Sequence, residues 1–163
     1  EKVGEKAPSG LYYKKGAVEK AKELIRISRE GEKGVKQIAE EAGIIEEDVW
    51  LLVEKNKEYL ENRIRRILEK NNAKFEEMDA EETEELRKLA EKFLSYAKSA
   101  KDKNLVGVAM LAVWEKTKDK DMFERGVKIL KDAAKEVDFA KENLAIAYAK
   151  AGKYDDAKLW IRR

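Results

Sequence analysis

Apolar positions recur by threes and fours along most of the chain, the spacing that gathers side chains on one face of an α-helix. Ala17, Val18, Ala21, Leu24, Ile25 and Ser28 make such a face and predict a first helix over about residues 17–29. Val35, Ile38, Ala39 and Ala42 predict a short second helix, which Gly43 ends as a left-handed cap residue. A long helix is then expected from near Glu46 to Asn71–Asn72. Its stripe is Val49, Leu52, Val53, Asn56, Tyr59, Leu60, Ile64, Ile67 and Leu68, widened at the start by Trp50 and Leu51. Asn56, inside that stripe, reads as a buried hydrogen-bonding residue that sets helix register. Asp79 is placed to cap the next helix, with Glu81, Glu82, Glu84 and Glu85 in its first turns and a stripe from Leu86 to Ala97.

From Asn104 onward the helices shorten and alanine and glycine rise. The pattern predicts helices over about 105–116, 121–137, 139–151 and 155–162, arranged as hairpins. The only proline is Pro8, so no later helix interior is broken by one. About eight helices and no strand make the expected class all-α. The expected organisation is one compact unit over 1–163, a helical bundle over 17–103 packed against hairpins over 104–163. The pair Tyr12–Tyr13 is expected to pin the N-terminal segment onto the core.

Composition narrows the chemistry. Cysteine and histidine are both absent, which excludes disulfides, thiolate sites and cysteine nucleophiles and removes the commonest general base and metal ligand. Neighbouring carboxylates such as Glu40–Glu41, Glu46–Glu47 and Glu84–Glu85 diverge by about 100° around a helix and do not converge on a metal. No catalytic residue, metal or cofactor is therefore predicted, and an enzyme is the least favoured class. Lys and Arg number 36 against 34 Asp and Glu, so net charge supplies no global drive toward nucleic acid or membrane. No apolar run approaches the ~20 residues of a membrane span, and no signal-like segment is seen, which leads to a cytoplasmic expectation. Abundant Lys and Glu with a single Gln resembles the bias of hyperthermophile proteins.

The run Asn143-Leu144-Ala145-Ile146-Ala147-Tyr148-Ala149-Lys150-Ala151-Gly152-Lys153-Tyr154-Asp155-Asp156-Ala157 resembles the heart of a tetratricopeptide repeat. Leu144 and Tyr148 share a face, Ala145 and Ala157 are small where two helices touch, Gly152 reverses the chain, and Tyr154 is expected to wedge beneath the hairpin. One repeat earlier Met110, Leu111 and Trp114 stand in the places of Leu144, Ala145 and Tyr148, and Gly126 in that of Ala157; Leu111 is larger than the pattern wants, and the turn at 118–121 looks too long. The resemblance implies a non-catalytic protein–protein interaction module. By resemblance the groove is lined by Phe139, Glu142, Ile146, Ala149 and Lys150, and upstream by Leu105, Val108, Ala112, Glu115 and Lys116. The residues that clamp a partner's terminal carboxylate are missing, since Ile146 and Ala112 are apolar. Either the chain's own helices fill this groove or a partner's amphipathic helix does. The adjacent Leu159, Trp160 and Ile161 cannot all face one neighbour, which points to self-association or a partner there. Phe139, Glu142, Ile146, Lys150 and Trp160 are the candidate partner surface.

A second pattern, Ile38-Ala39, Ala42-Gly43-Ile44, Val49 and Leu52, follows a helix-turn-helix unit and implies, as an alternative, a nucleic-acid-associated regulatory protein. Its second helix opens with Glu46, Glu47 and Asp48, acidic where phosphates would lie. Residues 32–62 carry nine acids and four bases. The basic run Arg63, Arg65, Arg66 and Lys70 reads as a solvated face. Trp50, Trp114 and Trp160 read as core or junction residues.

Overall fold

The helical periodicity is realised in the computed structural model, which describes residues 4–162, with side chains to Ile161. The protein is all-α, 72% helical, with nine α-helices and one pair of two-residue strands among the described residues. Two compact units divide the chain, Glu1–Ile67 and Leu68–Arg163. The division falls within the stretch read as one bundle, not at the start of the hairpins.

The first unit opens with a small hairpin. β1 (Glu5–Lys6) pairs antiparallel with β2 (Tyr12–Tyr13), closed by a turn in which Gly10 N–H donates to Ala7 O at 2.9 Å. No strand was expected, because two residues are too short to show a period of two. Then come α1 (Ala17–Ile27), α2 (Val35–Ala42), α3 (Glu46–Val53) and α4 (Lys57–Asn71). Val18, Ala21, Leu24, Ile25, Val35, Ile38, Ala39 and Ala42 are buried as the stripes predict. Gly43 takes the left-handed cap conformation, φ 76°, with its N–H on Ala39 O. The single long helix is instead two. Asn56 N–H closes on Val53 O at 2.9 Å, while Asn56 Oδ1 accepts from Tyr59 N–H at 3.0 Å. Asn56 is therefore a helix-starting cap rather than a register residue, the usual outcome when a short amide side chain competes with helix backbone bonds.

The second unit holds a 3-10 turn (Phe75–Glu77), α5 (Ala80–Leu94), α6 (Ala100–Thr117), α7 (Lys120–Ala133), α8 (Asp138–Lys150) and α9 (Tyr154–Arg162). Asp79 caps α5 as expected, its Oδ1 accepting from Glu82 N–H at 2.7 Å. Ser99 caps α6 through Asp102 N–H, so that helix starts at Ala100 rather than near Leu105. The turn before α7 is short, not long: Lys118 adopts φ 62° and Asp119 caps the next helix. α6 is central and buried on most sides, packing on α5, α7 and the 3-10 turn; α8 packs on α7 and α9.

α6 and α7 cross where neither has a side chain. A Cβ on Gly126 would lie 2.9 Å from Leu111 Cγ and 3.1 Å from Gly107 O, and one on Gly107 would lie 2.7 Å from Leu130 Cγ. The oversized Leu111 thus fits because its partner position lost a methyl: Leu111 with Gly126 replaces Ala145 with Ala157. We predict that Gly126→Ala and Leu111→Ala each destabilise the protein, the first despite the roughly 1 kcal/mol that Ala gains over Gly in a helix. Together they should cost at least about 1 kcal/mol less than their sum. Additive urea-denaturation free energies would contradict this exchange of volumes.

Candidate functional site

α8 presents two contrasting faces. Ala140, Leu144, Ala145, Ala147 and Tyr148 are buried. Phe139, Glu142, Ile146 and Lys150 succeed one another by threes and fours on the other side, one face of a helix. Phe139 is 44% exposed and Ile146 51%, and Glu142 is exposed. About half of each of these two large apolar side chains is thus left accessible on one helical face.

Lys150 is anchored. Its Nζ donates to Glu115 Oε1 at 2.8 Å and lies 5.8 Å from the centre of the Phe75 ring. Glu115 is buried on α6. Burial pushes its carboxyl above the ordinary range; the Lys150 ammonium draws it partly back, and Glu76 adds to the rise. This ion pair ties the end of α8 to α6.

The upstream half of the row is different. Leu105, Ala112 and Glu115 are buried, and Val108 and Lys116 are partly so. The 3-10 turn packs on α6, with Phe75 and, just after it, Met78 buried. Lys116 Nζ reaches Glu76 O at 3.4 Å. The chain's own segment therefore covers α6, while the α8 part stays open. Nothing periodic marks a three-residue turn, and the sequence signal for it was the pair Phe75 and Met78 in the stretch between two predicted helices.

On α9, Leu159 and Ile161 are exposed and Trp160 is partly exposed, with contacts of its own. Tyr154 does not wedge beneath the hairpin; it is 64% exposed. The preceding repeat-like hairpin differs. With Gly126 matched to Ala157, Tyr154 corresponds to Phe123 and Ile161 to Leu130. Phe123 packs on Trp114 and edge-on against Tyr148 of α8, and Leu130 is fully buried. The matching side chains on α9, Tyr154 and Ile161, are exposed.

The helix-turn-helix-like corner forms from α2, Gly43 and α3, with Ala39, Ile44 and Val49 buried. Glu46 and Glu47 are exposed at its opening. Asp48 is fully buried and accepts from Ser9 N–H at 2.9 Å, Ser9 Oγ at 3.0 Å and Tyr13 Oη at 2.7 Å. Burial alone would raise its carboxyl; the donors from Tyr13 and Ser9 outweigh it and hold the group below the ordinary range. Tyr13 Oη also accepts from Ile45 N–H at 3.2 Å, bridging the start of α3 to its acid as a capping-box residue would directly. Along α4, Arg63 Nη1 donates to Gly31 O at 2.9 Å, Arg65 pairs with Glu61 at 3.1 Å and Lys70 with Glu82 at 2.9 Å. Among the described residues no group of three or more acidic side chains is placed to hold a metal ion, and no helix is long and apolar enough to cross a membrane.

No protein-family model, curated protein or solved structure matches this chain.

Proposed function

We propose that the chain is a non-catalytic protein–protein interaction module, tetratricopeptide-like in its last third, which receives a partner's amphipathic helix on the open face of α8. The observation that carries this reading is the exposure of Phe139 and Ile146 at helical spacing, flanked by Glu142 and the anchored Lys150. Support also comes from the stacking order, in which α6, α7, α8 and α9 pack successively as repeat hairpins do. Trp160 and its exposed neighbours on α9 extend the candidate surface. A cytoplasmic location belongs to the same proposal, supported by a composition in which 43% of residues are charged.

The test is crosslinking and affinity capture with the intact chain from its source cell. Phe139→Ser with Ile146→Ser is expected to cut capture of the specific partner at least about tenfold, the usual effect of removing two interface anchors. Helical circular dichroism should change little, because both side chains are about half exposed. Undiminished capture by the double variant would defeat the reading. The corner at α2–α3 supports an alternative, nucleic-acid association. Its shape is present, but the exposed Glu46 and Glu47 oppose phosphate. A salt-sensitive gel shift abolished by reversing Arg66 would favour that alternative.

A further inference from the structure

A hollow lies between the end of α5, the start of α6 and one side of α7, and none of its lining residues belongs to α8 or α9. Its volume is about 540 Å³, within the roughly 300–1,000 Å³ of typical ligand sites. Leu94, Ala97 and Ile129 make an apolar floor. Lys103, Arg125, Lys128, Lys131 and Lys135 make the rim, against one lining carboxylate, Asp132.

The five cations are not equally available. Arg125 is held by Glu91 at 2.7 Å and by Asp121 at 3.5 Å. Lys103 and Lys135 share Asp132, at 2.5 and 3.4 Å. Lys131 lies over the Tyr148 ring at 5.8 Å. Among the described residues Lys128 has no carboxylate partner. Apart from the Arg125 cluster, four lysines and a single acid thus surround an apolar floor.

We infer that this hollow binds an acidic peptide segment with an apolar anchor, such as an amphipathic helix carrying Leu or Ile among Asp and Glu. Two features select that occupant. The cations from Arg125 to Lys135 are strung over about 15 Å along α7 and just past its end. The single head group of a fatty acid reaches one or two of them, whereas successive carboxylates of a peptide match their spacing along the helix. The floor argues against a phosphate chain, which would satisfy the lysines yet leave Leu94 and Ile129 in water. Asp132, held ionised chiefly by Lys103 and then by Lys135, shows that these lysines can close on a carboxylate. This site goes beyond the α8 surface and does not depend on it.

The test is fluorescence anisotropy of the full chain with a labelled peptide of about four helical turns, built from Glu, Ala and Leu with the Leu residues on one face. Saturable binding is expected. Lys128→Glu with Lys135→Glu should weaken it at least about tenfold, as reversing two charges in a complementary interface does. Both lysines are exposed, so unchanged thermal melting will show that the fold survives. Asp132→Asn should tighten binding by releasing two lysines. Replacing the peptide's Leu by Ser should weaken binding as much as the lysine reversal. Phe139→Ser with Ile146→Ser should leave binding intact, so the two surfaces can fail separately. Absence of saturable binding overturns the inference. So does equal binding of the Ser peptide or of oligo-dT, which would mark a general polyanion patch, or displacement of the peptide by dodecanoate, which would mark a lipid site.

Discussion

Gly31→Ala is expected to destabilise the N-terminal unit by about 3 kcal/mol or more, through strain and overpacking together. The residue lies just after α1, buried, with φ 79°. A Cβ there would stand 2.6 Å from Asn62 O and 2.7 Å from Arg63 Cα. Those atoms belong to the backbone of α4, which cannot turn aside as a side chain does. The approach is locked from the other side as well: Arg63 Nη1 donates to Gly31 O at 2.9 Å, and Asn62 Nδ2 donates to Arg29 O. Gly43→Ala is the control. Its φ is 76°, nearly the same, yet nothing lies within 4 Å of its Cβ position. Left-handed strain alone costs roughly 1 kcal/mol, so the excess at Gly31 measures the close contact. Amide hydrogen exchange at Val49 and Val53, buried in the same unit, reads the loss without assuming that the whole chain unfolds in one step. Equal losses for the two alanine variants would mean that α4 does not press on the turn.

How far the chain could be read in advance depended on whether each feature leaves a local period. The stripes of α1, α2 and α5 do, and their buried residues are those the spacing names. The break between α3 and α4 does not, because Val53, Asn56, Tyr59 and Leu60 keep helical phase across it. A cap that falls in phase is invisible to periodicity and shows only through the bond from Tyr59 N–H to Asn56 Oδ1. Asn at that place, followed by Lys57 and Glu58, was the available hint.

The candidate surface was legible for a related reason and illegible for another. Phe139, Glu142, Ile146 and Lys150 share a helix face, so their grouping follows from spacing alone. Whether a face is open depends on what arrives from elsewhere in the chain. Phe75 closes over α6 from a segment with no period, about 40 residues upstream of Glu115 and Lys116. Phe123 is covered by Tyr148 of α8, whereas Tyr154, its match in the next hairpin, is exposed. The basic hollow was likewise hidden, since Lys103 and Lys128 meet only once α6 and α7 cross at their glycines.

Asp48 is the case in which a local reading pointed the wrong way, and it gives the second large expected effect. An acid in the first turn of α3 reads as a surface charge at the positive end of the helix dipole. In the fold it is the buried acceptor for Ser9 and Tyr13, some 35 to 39 residues earlier in the chain. Asp48→Ala leaves three donors unmatched, one of them the Tyr13 phenol, which burial and then the Asp48 charge hold in its protonated form. Hydrogen bonds to a charged acceptor contribute about 1.5–3 kcal/mol each, with incomplete additivity. A loss of about 3 kcal/mol is expected at neutral pH, together with release of the β1–β2 hairpin. Tyr13→Phe should cost roughly 1–2 kcal/mol, and almost nothing further in the Asp48→Ala background. The pH dependence fixes the sign. Because the folded carboxyl titrates below its ordinary value of 3.8, the unfolded chain binds the proton more readily in the window beneath that value. The contribution is therefore complete well above 3.8 and is lost as pH falls through the lower folded value. Glu41, Glu91 and Asp119 also titrate low, so acid weakens the wild type and the variant alike. The informative quantity is the difference between them, read from hydrogen exchange or urea midpoints. It should shrink as pH is lowered through the window, and a difference that stays constant would show that Asp48 does not hold the hairpin as an ionised acceptor.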